Sequence, residues 1–91
     1  MTFKSLSKTV SNGTTHTFMF PSKVSSASTL VQGYTMEYSD RDHHVREQKV
    51  KASITSVSGN TVSVSATCEM FDDSNKRASG SVDILCMAEL E

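Results

Sequence analysis

Tryptophan is absent from this 91-residue chain, proline occurs once, cysteine twice and glycine four times. That scarcity of Gly and Pro goes with the lack of any internal repeat, linker or low-complexity tail. The longest continuous apolar run is Ile84–Ala88, far short of the ~20 residues a membrane helix needs. Neither sign of charge dominates: nine Lys and Arg stand against ten Asp and Glu, a net of −1 with His neutral. This balance excludes a strongly basic nucleic-acid binder and an acidic disordered tail. The stretch 40–51 sets Arg41, Arg46, Lys49 and Lys51 against Asp40, Asp42 and Glu47, a net of only +1. Ser53 and Thr55 lie beside its lysines where a single-strand binder would want stacking aromatics. Neither a nucleic acid nor a membrane is expected as a partner.

Other absences narrow the chemistry. No GxGxxG, P-loop, HExxH or GxSxG motif occurs, so no cofactor and no enzymatic activity are expected. Cys68 and Cys86 belong to no CxxC pair, and two cysteines cannot close a four-ligand zinc site. Met1–Lys8 has no apolar stretch of signal-peptide length, and the default is a cytoplasmic product. A particle component released by lysis, or a protein secreted by another route, would look the same. In a reducing compartment both thiols read as small buried hydrophobes. A disulfide stays open, since both fall on one face of strands expected to be neighbours.

What the chain has in plenty is serine and threonine, 26 of 91 positions, with valine beside them. Such residues fit a pleated sheet better than a helix. Over Asn60–Phe71, Val62, Val64, Ala66, Cys68 and Met70 alternate with polar residues, the signature of a half-buried strand. Val50, Ala52 and Ile54 alternate likewise, and Ser58-Gly59-Asn60 lies between. A three-residue loop there pairs Ile54 with Val64, Ala52 with Ala66 and Val50 with Cys68, apolar on apolar; a bulge would give the same parity. Thr2–Val10 and Thr14–Phe20 flank Ser11-Asn12-Gly13, a hairpin signal, and Pro21 ends the second strand. Asn12-Gly13-Thr14 is also a glycosylation sequon, read here as a turn. Leu30, Tyr34, Met36 and Tyr38, with Gln32 among them, are placed on one face of a strand over Thr29–Ser39. Val82, Ile84, Cys86 and Ala88 share a face of the last strand. These segments predict an all-β fold: one small antiparallel β-sandwich of about six strands over residues 1–91.

The last strand is apolar on both sides. Leu85 and Met87 oppose Val82, Ile84, Cys86 and Ala88, and Phe71 joins them if the last two strands pair. A solvated sheet face should be polar. Either terminal strands or a loop fold over the patch, or a second subunit covers it. A thin core also gains from association. Phe71, Leu85 and Met87 are therefore expected at a subunit interface in a homo-oligomer.

The densest polar cluster is Tyr38-Ser39-Asp40-Arg41-Asp42-His43-His44-Val45-Arg46-Glu47. Carboxylates and an imidazole suit a metal. Adjacent histidines on an extended chain, however, point to opposite faces. Acid–base chemistry would need two groups held in a pocket with separated pKa values. A sugar needs Asp, Arg and His for its hydroxyls and an aromatic, Tyr38 or Tyr34, under its ring. The bland alternative is a charged turn joining two strands or subunits. Tyr38, Asp40, Arg41, Asp42, His43 and His44 are the candidate ligand-binding set, with no metal expected. Asp72–Arg77 lacks the calcium-loop spacing and reads as an exposed hairpin loop. His16 reads as a surface or edge residue.

Phe18-Met19-Phe20-Pro21-Ser22-Lys23-Val24 resembles the F…P-x-V opening of the H-type lectin domain, a six-stranded antiparallel sandwich of similar length. The middle hairpin and Ile84-Leu85-Cys86-Met87-Ala88 sit roughly where that family has strands, and the likeness covers about residues 14–89. The family typically carries a Trp in its last strand, which this chain lacks. The resemblance implies a trimer or higher assembly with glycan sites in loops near subunit boundaries. The expected function is a non-enzymatic, oligomeric, carbohydrate-binding module. The alternative is a structural or assembly subunit of a phage-like or secreted particle.

Overall fold

The computed structural model describes residues 2–38 and 44–91, which form six antiparallel strands and no helix. They are β1 (Thr2–Ser11), β2 (Thr15–Met19), β3 (Val24–Glu37), β4 (Val45–Ser58), β5 (Thr61–Asp72) and β6 (Ser79–Leu90). Two three-stranded sheets, ordered β1-β6-β3 and β2-β5-β4, make a sandwich. Because no helix forms among the described residues, none is long and apolar enough to cross a membrane.

The core follows from period two on the two central strands. Val62, Val64, Ala66 and Cys68 of β5 face Val82, Ile84, Cys86 and Ala88 of β6, all at most 2% exposed. Phe18, Phe20, Val24 and Leu90 close one end. Each large side chain buried this way contributes about 1.5–3 kcal/mol. The strands run along the 51 Å axis, and the cross-section is only 17 × 14 Å. The radius of gyration is 15.6 Å, against about 12 Å for a compact domain of this length.

The β4–β5 hairpin has the expected pairs, Ile54↔Val64, Ala52↔Ala66 and Val50↔Cys68. Its loop is shorter than the expected three residues. Ser58 pairs with Thr61 across a two-residue Gly59-Asn60 turn, and a bulge between Ile54 and Ser56 restores the parity. Gly59 has φ +58°, a conformation glycine adopts at no steric cost.

Three other expectations are corrected. β1 and β2 are not a hairpin: β1 pairs with β6 and β2 with β5, so Asn12-Gly13 turns the chain between sheets. β5 and β6 are not ladder neighbours but oppose each other across the core. Leu30 does not share a face with Tyr34 and Met36. A bulge between Val31 and Gly33 shifts the register, so Val31 pairs with the buried Ile84, and Leu30 with Leu85.

β2 ends while β5 continues, which leaves the edge of β5 uncovered by strand from Ala66 onward. Several of its backbone groups are nonetheless satisfied by turn and loop residues. Gly13 N–H donates to the Ala66 carbonyl at 3.0 Å, and the Ala66 N–H to the Thr14 carbonyl at 2.9 Å. The Cys68 N–H donates to Asn12 Oδ1 at 2.9 Å. Ala78 N–H reaches the Met70 carbonyl at 2.9 Å, and the Asp72 N–H the Lys76 carbonyl at 3.2 Å.

Candidate functional site

Of the expected ligand-binding set, Asp40, Arg41, Asp42 and His43 lie outside the described residues. Tyr38 and His44 flank them, and both are tied to the β5–β6 connection. Tyr38 donates its hydroxyl to the Lys76 carbonyl at 2.9 Å, with the Met70 carbonyl at 3.3 Å. The His44 carbonyl accepts the Asp73 N–H at 3.1 Å. Desolvation, then the negative charge of Asp72, push the Tyr38 phenol above its ordinary pKa, and Lys76 partly opposes them. A raised acid favours the neutral form in the folded chain. Its contribution is therefore full below the ordinary tyrosine pKa and is lost as pH rises through the folded one.

The connection expected to be an exposed hairpin loop is exposed over 73–77, but it joins the two sheets rather than closing a hairpin and is organised by a buried carboxylate. Asp72 is only 4% exposed. Its Oδ1 accepts the Ser74 and Lys76 N–H groups, both at 2.8 Å, an Asx-type turn. Asn75, at φ +63°, accepts from the Arg46 guanidinium and so links this turn to β4. Sequence reasoning missed Asp72, although the inward parity of Val62–Met70, carried one step further, points to it.

Beside this end, Tyr34 stands on the core side of edge strand β3 yet is half exposed. Its hydroxyl accepts from Gln48 Nε2 of β4 at 3.2 Å. An aromatic face with a carboxamide beside it can take a polar ring. His16, on edge strand β2, is half-buried and meets Phe18 edge-on with ring centroids 4.6 Å apart. No group of three or more His, Cys, Asp or Glu is gathered for a metal among the described residues. Both cysteines are free and buried. Burial pushes both thiols above the ordinary cysteine pKa, so neither is a ready nucleophile.

Asn12 was also missed as a structural residue. With Oδ1 on the Cys68 N–H and Nδ2 donating to Glu69 Oε1 at 3.3 Å, its amide is engaged at both atoms. The sequon is thus part of the sheet edge.

The two outer faces differ in kind. On β2-β5-β4 the outward ladder rows read Met19–Thr61–Ser58, Thr17–Ser63–Ser56, Thr15–Ser65–Ser53, Thr67–Lys51, Glu69–Lys49 and Phe71–Glu47, with Met19 71% exposed. On β1-β6-β3 they read Thr9–Asp83–Gly33, Ser7–Leu85–Leu30, Ser5–Met87–Ser28 and Phe3–Glu89–Ser26. Leu85 is half-buried there, while Leu30 and Met87 are exposed and Phe3 is 72% exposed. A hollow of about 260 Å³ lies between Phe3, the 26–28 backbone and Met87. Toward the other end a polar hollow of about 520 Å³ is lined by Ser7, Lys8, Thr9, Gln32 and Asp83. In it Thr9 donates its hydroxyl to Asp83.

Phe71 does not join Leu85 and Met87. Since β5 and β6 lie in different sheets, it faces out from β2-β5-β4, with the Arg77 guanidinium 5.4 Å from its ring centroid. Compared with protein-family models, with curated proteins and with solved structures, the chain matches none.

Proposed function

We propose that this chain is a non-enzymatic β-sandwich module that self-associates through the outer face of β1-β6-β3 and binds a polar ligand, of carbohydrate class, at the end bearing Tyr34, Tyr38 and His44. One observation carries the reading. Phe3, Leu30, Leu85 and Met87 occupy consecutive outward rows of one sheet, while the outward rows of the other are Ser, Thr, Lys and Glu but for Met19 and Phe71, which stand apart at opposite ends of β5. Contiguous exposed apolar surface marks contacts, and a second copy is the partner that a thin core would most benefit from. The resemblance to H-type lectins implies three copies or more.

Light scattering tests the association. The wild type is expected above the mass of one chain, and Leu85→Lys below the wild type, since an ammonium in each copy would have to be desolvated at the contact. Ser63→Lys, on the opposite outer face, should leave the mass unchanged. A wild type at the mass of one chain sinks the proposal.

The second reading, a structural subunit of a particle, is favoured by the commitment of Tyr38 and His44 to the 72–77 turn. A glycan array separates the two. Reproducible hits, lost on Tyr34→Ala, support the lectin-like reading, and a blank array moves the assembly subunit first.

A further inference from the structure

Asn12-Gly13 is a chemically labile pair. The glycine backbone nitrogen, unhindered by a side chain, can attack the asparagine side-chain carbonyl carbon. A C–N bond forms, ammonia leaves, and water then opens the succinimide at either carbonyl to give aspartate or isoaspartate. In the folded chain both reacting groups are already held. Gly13 N–H donates to the Ala66 carbonyl at 3.0 Å, and Asn12 Oδ1 accepts the Cys68 N–H at 2.9 Å. Asn12 Nδ2 donates to Glu69 Oε1 at 3.3 Å. These partners also fix the amide's orientation, because an N–H can face only its oxygen and a carboxylate only its NH2.

We propose that Asn12 is a modification site, a deamidation site held closed by the fold, and that its conversion detaches the 11–14 turn from β5. Attack requires the Gly13 nitrogen to leave Ala66 and the Asn12 amide to leave Cys68 and Glu69, a local opening of the sheet edge. In aspartate, a second carboxylate oxygen replaces the NH2 that faces Glu69, setting two negative charges against each other. In isoaspartate, one added methylene in the main chain puts Gly13 and the side chain out of step with Ala66 and Cys68. Either product strips cover from the part of β5 that β2 does not reach.

The test is peptide mapping by mass spectrometry of the full chain held in warm, mildly alkaline buffer. Conversion at position 12 should be slower in the native chain than in urea by on the order of tenfold or more. Glu69→Ala should speed conversion in the native chain and leave the rate in urea unchanged. Asn12→Asp should lower Tm, and adding Glu69→Gln should restore most of the loss. Equal rates in native and unfolded wild type would overturn the closed site, and an unchanged Tm in Asn12→Asp would overturn the detachment. Should Asn12→Asp fail to fold, the wild-type and Glu69→Ala rates still decide.

Discussion

Gly80 shows how closely single residues are fitted. A Cβ built there would lie 2.6 Å from Met36 Cγ, 2.9 Å from the Thr35 carbonyl oxygen and 3.0 Å from Cys68 Sγ. The methionine can swing aside, but the carbonyl is part of β3 and the thiol is in the core. Gly80→Ala is expected to cost about 1–3 kcal/mol through overpacking. For a domain of this size that lowers Tm by roughly 4–8 °C per kcal/mol. Thermal melts check it, and a Tm equal to wild type would mean β6 stands off from β3 there. Nothing in the sequence marks this glycine, because its constraint comes from β3 and β5, which close on it only in the fold. Asp72 was legible by parity alone; Asn12 was not, since its two partners sit more than fifty positions away.

At the scale of elements, each sheet edge carries a device against pairing with another chain. β2 is five residues long. β3 is bulged at two places, and so is β4. β1 is ten residues long and unbulged, but its core-side positions alternate Lys4 and Lys8 with Leu6 and Val10. Charges in such positions discourage edge-to-edge growth. Lys8→Val should therefore change Tm little, as a substitution of an exposed side chain, yet raise turbidity on prolonged incubation. Solubility equal to wild type would show that the lysine guards nothing. The alternation over Val62–Met70 and Val82–Ala88 predicted these strands and their inward faces. It could not say which strand pairs with which. Asn-Gly favours a turn whether the chain returns to its own sheet or crosses to the other, and a bulge such as that beside Val31 inverts a face without changing composition.

Taken as a whole molecule, the sandwich has two different exteriors, and part of that difference was visible in Leu85 and Met87. The presence of Phe3 and Leu30 on the same face, and the departure of Phe71, depend on sheet assignment and so emerged only with the fold. The strand order has a further consequence, in time rather than space. β6 is the middle strand of β1-β6-β3, and Thr2 pairs with Leu90. During synthesis the β4–β5 hairpin can close as soon as its residues emerge, and β2 can join it. β1 and β3, made earlier, must wait unpaired for β6, with Leu6, Val10 and Val31 uncovered meanwhile. Non-local pairing of this kind is slow. A ribosome pause ahead of β6 would hold the nascent chain half-sandwiched, and a chaperone that binds extended apolar segments would find its sites on β1 and β3 during that interval.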